Sequence, residues 1–244
     1  MKQFGLIGYP LSHSFSKGYF TEKFQKENIV DSKYDIFPLE KIEDFVELCN
    51  THKNFVGLNV TIPYKEKIIP YLNELDETAA NIGAVNTIKF INGKTIGYNT
   101  DCYGFEMSLK PLLKQHHAQA LILGTGGASK AVEYVLKKLG ISLQYVSRYK
   151  SEKTISYEEV NQLIIHHSKL IINTTPIGMY PNVNNAPDIP YNAITDNHLL
   201  YDLIYNPEET QFLKEGKLHG AQTKNGLEML YLQAERSWQI WNSQ

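Results

Sequence analysis

Short apolar runs separated by turn residues set the rhythm of the first hundred positions. Gln3–Gly8 is apolar and closes on Gly8-Tyr9-Pro10, which predicts a buried strand and then a turn. The amphipathic run Tyr19–Phe24 predicts a helix. Tyr34–Leu39 alternates as a strand does, and Leu39–Cys49 has helical spacing with acidic residues in its first turn. Phe55–Thr61 predicts another strand. Pro63 suits the first position of a short helix, which would carry Lys65 in its opening turn. Asp76–Asn81 reads as a short polar helix. Val85–Ile91 and Thr95–Tyr98 flank Asn92-Gly93, a dipeptide that predicts a two-residue hairpin.

Beyond Asp101 the pattern changes to strand, helix, strand. Met107–Gln115 reads as a connecting helix, and the domain break falls just after Asp101. Ala120–Leu123 predicts a short buried strand, and Gly124-Thr125-Gly126-Gly127-Ala128-Ser129 follows at once. A helix over Lys130–Leu139, ended by Gly140, leads to a strand at Leu143–Ser147. Leu170–Asn173 and Leu199–Asp202 predict further buried parallel strands, with an Asn/Pro-rich surface loop, Pro181–Pro190, between them. Tyr201–Tyr205 runs into Asn206-Pro207 and an acidic helix start. The last helix, Asn225–Gln244, carries Leu227, Leu230, Ala234, Trp238 and Trp241 on one face and is expected to pack back on the first domain. The expected fold is therefore α/β, with an N-terminal α/β domain over residues 1–103, a Rossmann-like dinucleotide-binding domain over 104–224, and a C-terminal helix, 225–244, returning to the first domain.

Composition narrows the class of function. The chain has 244 residues, 42% hydrophobic and 20% charged, which suits a globular protein with a sizeable core. Its formal net charge is −2 and no basic tract is present, which excludes nucleic acid as an expected partner. No apolar run is long enough to span a membrane. Cys49 and Cys102 lack CxxC spacing, and Met1–Pro10 does not read as a signal peptide; free thiols in a reducing cytoplasm are expected. The sequons at Asn59 and Asn173 then carry no glycan. No Cys/His cluster suggests a metal. Monomer and homodimer are both compatible with the sequence.

Candidate chemistry concentrates between Gly57 and Asp101. Asn59, Thr61, Asn86, Thr87, Asn99 and Thr100 sit on or beside strand ends, with Lys65 and Asp101 among them. Small uncharged donors and acceptors suit a polyol, and a Lys/Asp pair can move a proton. Each Asn or Thr is also an ordinary turn or cap residue, Asp101 can N-cap the helix that follows, and spacing does not choose Lys65 over Lys67. At the positive end of a helix dipole an ammonium is disfavoured, which would suit Lys65 to proton donation. Ser12, Ser14 and Ser16 precede the first helix, where hydroxyls can cap the helix or hold a carboxylate. The strand, glycine turn, helix and strand at 120–147 form the context of a dinucleotide site, with Ser129 at the third small position. An NAD site would want Asp or Glu at the end of the second strand; Ser147-Arg148-Tyr149-Lys150 stands there, and Arg148 suits a 2′-phosphate, with Lys150 adding charge. NADP is the expected cofactor.

Taken in order, the motifs S-H-S-F-S, N-V-T-I-P-Y-K, G-A-V-N-T, G-Y-N-T-D-x-x-G, L-G-T-G-G-A-S, S-R and N-G-L-E-M-L-x-x-Q-A resemble the shikimate dehydrogenase family across nearly the whole chain. The resemblance implies NADPH-dependent, reversible reduction of 3-dehydroshikimate to shikimate, in the pathway to chorismate and aromatic amino acids. It implies a first domain for substrate and a second for NADP. Ser14 and Ser16 would bind the substrate carboxylate. Asn59, Thr61, Asn86, Asp101 and Gln233 would hold the ring hydroxyls, with Lys65 and Tyr205. Lys65 and Asp101 would be the catalytic pair. Gly124, Gly126, Gly127, Ala128, Ser147 and Arg148 would bind NADP; Leu203 and Gly226 would lie near the nicotinamide, and Glu77 matches a position assigned to the cofactor.

Three departures from the family pattern stand out. Lys17 replaces a proline after the serine motif, Ser147-Arg148-Tyr149 replaces Asn-Arg-Thr, and Glu228 replaces a glycine, where it would crowd the cofactor or face solvent. The second departure leaves a 2′-phosphate short of two small polar partners. A quinate/shikimate dehydrogenase and a non-catalytic shikimate-binding sensor are the alternative readings; the presence of both Lys65 and Asp101 argues against the sensor.

Overall fold

The computed structural model describes residues 1–11 and 14–243. The chain forms two compact units, Met1–Thr100 with Ala234–Gln244, and Asp101–Gln233. The expected boundaries after 103 and before 225 differ from these. Asp101 already opens a helix, and residues 225–233 stay with the second unit because a Cβ on Gly104 would meet the Met229 carbonyl oxygen at 2.5 Å.

The first unit contains β1 (Lys2–Gly8), α1 (Phe15–Lys26), β2 (Ser32–Pro38), α2 (Asp44–Thr51), β3 (Phe55–Val60), β4 (Glu74–Leu75), α3 (Glu77–Ile82), β5 (Thr87–Ile91) and β6 (Lys94–Tyr98). Its sheet runs β2-β1-β3-β5-β6-β4. β1, β2 and β3 are parallel; β5 is antiparallel to both β3 and β6. Asn92 and Gly93 both have positive φ, 51° and 76°, as the two-residue β5–β6 turn requires. Phe4, Phe20, Phe24 and Tyr34 pack with Ala234 and Trp241 of the last helix, and the indole Nε1 of Trp241 donates to the Ile88 carbonyl at 3.0 Å. Large aromatics with one polar handle satisfied are what dock the C-terminal segment on this unit.

The stretch after Pro63 departs from the expected helix. It is a series of turns, with Tyr64 N–H bonded to Thr61 O and Ile68 N–H to Tyr64 O, closing in a 3₁₀ turn at Ile69–Tyr71. The Lys65 carbonyl accepts from Val85 N–H at 2.7 Å, so a tertiary hydrogen bond takes the place of a helical one. The helix-dipole argument for Lys65 falls with the helix. Val85 likewise precedes β5, which starts at Thr87.

The second unit contains α4 (Asp101–Leu109), β7 (Gln119–Leu123), α5 (Gly127–Lys138), β8 (Ser142–Ser147), β9 (Thr154–Ser156), α6 (Gln162–His167), β10 (Leu170–Asn173), β11 (Leu199–Asp202), α7 (Gln211–Leu218), β12 (Gln222–Lys224) and the start of α8 (Leu227–Asn242). The expected helix at Met107–Gln115 is displaced: α4 starts six residues earlier, and Lys110–Leu112 is a 3₁₀ turn containing Pro111. The sheet order is β12-β11-β10-β7-β8-β9, and every pairing is parallel. Counted from β7 this is the 3-2-1-4-5-6 order of a doubly wound dinucleotide fold, with its switch point between β7 and β10. β10 and β11 are buried along their whole length, which explains their unbroken apolar runs.

Candidate functional site

One edge of the first sheet collects the polar cluster. β1, β2 and β3 end there and β5 begins there, and the register pairs Asn59 with Thr87 and Thr87 with Tyr98. Segments far apart in sequence thus meet at Asn59–Thr61, Asn86–Thr87 and Asn99–Thr100.

The side chains bond to one another. Asn59 Oδ1 accepts from the Tyr34 hydroxyl at 2.8 Å; its Nδ2 lies 3.3 Å from Asn86 O, 3.2 Å from Thr87 Oγ1 and 3.1 Å from Ser237 Oγ. Asn86 Nδ2 donates to Thr100 Oγ1 at 2.9 Å and Thr100 N–H donates to Asn86 Oδ1 at 2.7 Å. Ser237 Oγ, from the last helix, is 2.8 Å from Thr87 Oγ1 and 3.1 Å from Thr100 Oγ1. All of these groups are buried. Burial pushes the Tyr34 phenol well above its ordinary value, and a hydrogen bond with the Ser16 hydroxyl opposes the shift. Ser16 is thereby linked to the network through Tyr34.

Ser14 N-caps α1 and accepts from Lys17 N–H at 3.2 Å, so its hydroxyl proton is left to donate. Ser12 and His13 of the serine motif lie outside the described residues. Thr61 and Lys65 follow β3; Lys65 is half-buried and Lys67 exposed, a difference in surroundings that spacing did not carry. In the second unit, Asp101 is buried as the first residue of α4, where a carboxylate suits the helix dipole. Gln233 is buried and donates to the Leu230 carbonyl at 2.9 Å. Tyr205 is 38% exposed.

The nucleotide edge of the second unit has a different character. Gly124 ends β7 with φ +102°, and a Cβ there would meet Thr175 Cγ2 at 2.8 Å. Gly126 is the N-cap of α5, makes no side-chain cap bond, and has nothing within 4 Å of where a Cβ would stand. The first-turn N–H groups at Gly127 and Ala128 lie at the positive end of the helix, where an anion is favoured. Ser129, buried, bonds back to the Gly126 carbonyl at 2.7 Å and packs where the motif wants a small residue. A cavity of about 420 Å³ joins Gly124, Thr125 and Gly126 to Ser147, Arg148, Tyr157 and the Thr174–Ile177 loop. Arg148 is exposed and makes no ion pair among the described residues. Lys150, the other basic group of this turn, pairs at the surface with Glu159.

Behind this edge lies a buried charge. Asp202 accepts from Asn173 Nδ2 at 3.1 Å, Ile204 N–H at 3.0 Å and Thr210 Oγ1 at 2.6 Å. Asn173 Oδ1 in turn accepts from Thr175 N–H and Oγ1 at 3.0 and 2.6 Å, holding the loop that lines the cavity. Burial pushes the Asp202 carboxyl up to about 6, against the lowering effect of those donors.

Comparison with known proteins agrees with this architecture. A family profile described as the shikimate dehydrogenase substrate binding domain matches residues 6–88. A Methanosphaera stadtmanae protein named shikimate dehydrogenase (NADP(+)) is 40% identical over 256 residues, spanning 97% of this chain and 90% of the relative. The chain belongs to the shikimate dehydrogenase family. Among solved structures, shikimate dehydrogenase 1 from Peptoclostridium difficile superposes with a TM-score of 0.84 at 41% identity, over 99% of this chain and 91% of the other. The Thermus thermophilus shikimate 5-dehydrogenase, solved with NADP(H) and shikimate, gives a TM-score of 0.87 at 27% identity, over 99% and 94% of the two chains.

Within this member of the shikimate dehydrogenase family, Leu203 and Gly226 are brought together, a Cβ on Gly226 falling 2.1 Å from the Leu203 carbonyl oxygen; no side chain fits there. Glu77 is exposed in the first turn of α3, and Asp76 rather than Glu77 caps that helix. Glu228 is exposed and paired with Lys224, so it faces solvent. Sequence reasoning passed over Tyr34, Ser237 and Tyr157. Among the described residues, no group of three or more His, Cys, Asp or Glu is arranged to hold a metal ion, and no helix is long and apolar enough to cross a membrane.

Proposed function

We propose that the chain catalyses the reversible, NADPH-dependent reduction of 3-dehydroshikimate to shikimate, a step toward chorismate and the aromatic amino acids. Likeness over 97% of the chain to a relative named shikimate dehydrogenase (NADP(+)) carries the reading. The N-terminus of α5 fits a pyrophosphate, and Arg148, which has no carboxylate partner among the described residues, fits a 2′-phosphate. Bound NADPH supplies the hydride.

The chain's own residues supply binding and the proton. Ser14 and Ser16 take the substrate carboxylate; Thr61, Asn86, Asp101 and Gln233, with Tyr205, hold ring hydroxyls. Asn59, positioned by its bonds to Tyr34, Asn86 and Thr87, joins them in holding the ring hydroxyls. Lys65 gives its proton to the alkoxide oxygen that replaces the ring ketone, and Asp101 is its partner in the catalytic pair. The unit Met1–Thr100 with Ala234–Gln244 is the substrate-binding one, and Asp101–Gln233 carries the NADP site. Glu77 is kept as a cofactor contact on family pattern alone. A cytoplasmic location accords with two free cysteines, and a homodimer remains compatible.

Initial rates with shikimate or quinate, each against NADP or NAD, test the reading. Shikimate with NADP is expected to be fastest. No turnover of shikimate with either cofactor would overturn the proposal, and equal rates on quinate would make the enzyme a quinate/shikimate dehydrogenase.

A further inference from the structure

One residue lining the nucleotide cavity carries an unsatisfied polar atom. Tyr157 opens the 3₁₀ turn that follows β9, a turn fixed by a capping box in which Ser156 N–H donates to Glu159 Oε2 at 2.9 Å. Tyr157 lines the cavity beside Arg148, yet its hydroxyl is buried with no hydrogen-bond partner among the described residues. Among the described residues only one other buried side-chain oxygen, that of Ser168, is in this position. A buried hydroxyl without a partner destabilises a fold by about 1–3 kcal/mol, so such groups ordinarily find one. Here a tyrosine with an unbonded hydroxyl and an arginine with no ion pair among the described residues line one cavity, at the end of the second strand of the dinucleotide fold. A phosphate monoester, with several acceptor oxygens, is the ligand chemistry that takes both.

We propose that the Tyr157 hydroxyl donates to the 2′-phosphate of NADP and, with Arg148, sets the preference for the phosphorylated dinucleotide. This rests on the reading of the chain as an NADP enzyme. It also accounts for the departure at Ser147-Arg148-Tyr149: a donor lost from the turn after β8 is replaced by one from the turn after β9. Tyr149 is 78% exposed and Lys150 is engaged by Glu159, so neither fills that role. Burial raises the Tyr157 phenol above its ordinary value, with the Arg148 charge opposing, and it stays a proton donor at neutral pH.

The test uses the whole chain and two nucleotides that differ by the one phosphate, adenosine 2′,5′-bisphosphate and adenosine 5′-monophosphate, titrated calorimetrically. The wild-type protein is expected to favour the bisphosphate. Tyr157→Phe is expected to weaken the bisphosphate about tenfold, the scale of a hydrogen bond to a charged group, and to leave the monophosphate within about twofold. The ligand-free variant should melt no lower than the wild type, since an unpartnered oxygen has been removed. Equal bisphosphate affinity in the two proteins would overturn the proposal, as would an equal loss for both nucleotides, which would mark a packing role for the ring. A wild-type protein without preference for the bisphosphate would instead overturn the NADP reading on which the proposal stands.

Discussion

Asn59, Asn86, Thr87, Thr100 and Ser237 exchange hydrogen bonds among themselves, whereas at the nucleotide edge of the second unit the Arg148 guanidinium and the Tyr157 hydroxyl, near the helix start at Gly126, have no partner among the described residues. Both regions are polar edges of a sheet, but they are prepared differently. The first is a buried network, and such networks fix a single arrangement when every member is satisfied. The second keeps N–H groups and a positive charge for a ligand that brings its own acceptors. Ring hydroxyls are recognised by placing small groups rigidly; a phosphate is recognised by leaving donors unspent.

The largest effect is expected at the one ammonium proposed for chemistry on the first edge. Lys65→Ala should lower kcat about 100- to 10,000-fold with a much smaller change in KM for shikimate, the range for loss of a general acid. Steady-state rates would check this, and an unchanged kcat would remove Lys65 from the catalytic role.

The open edge rests on Asp202, and its pH dependence is the next test. Burial raises this carboxyl to about 6 from an ordinary 3.8, so between those values the folded chain holds a proton that the unfolded chain has released. Stability therefore falls as pH rises through that window. Two pH units correspond to about 3 kcal/mol. His117, buried and pushed down to about 4 by burial and then by His116, works in the opposite sense, since the unfolded chain binds its proton first as pH falls below 6.5. Asp202→Asn removes only the first contribution. Urea unfolding of the variant should then gain about 2 kcal/mol between pH 4 and pH 6.5 relative to the wild type's own change. Parallel pH profiles would show that Asp202 carries no such proton.

A smaller effect belongs to Arg148. Replacing it with alanine should raise KM for NADPH about tenfold or more and leave NADH within about twofold, because only the 2′-phosphate differs. Equal losses with both cofactors would remove the contrast between a phosphate-ready edge and the closed network.

Much of this was legible because it is local. The Asn92-Gly93 hairpin and the strand, glycine turn and helix at 119–138 follow from residues adjacent in sequence, and β10 and β11 from runs too apolar to be anything but buried. The proposed helix after Pro63 failed because Val85, twenty residues away, takes the Lys65 carbonyl. Tyr34, Ser237 and Tyr157 carried no signal of their own. A tyrosine before a strand's midpoint and a serine in a terminal helix look like any others until the register brings Asn59 against Thr87. Lys150 looked free because its partner Glu159 sits across an intervening strand, β9.

Ser237 offers the finest test of the closed network. Its hydroxyl lies within hydrogen-bond distance of Asn59 Nδ2, Thr87 Oγ1 and Thr100 Oγ1, yet each of these has another partner in the network. Ser237→Ala therefore removes one node without orphaning its neighbours. The expected loss is about 1 kcal/mol of stability, the net worth of an ordinary buried hydrogen bond, with kcat close to the wild-type value. Were the network a loose cluster open to the substrate, the same substitution would leave stability unchanged and raise KM for shikimate. Urea unfolding and steady-state kinetics on the one variant distinguish these outcomes, because a closed network responds in its folding and an open one in its binding.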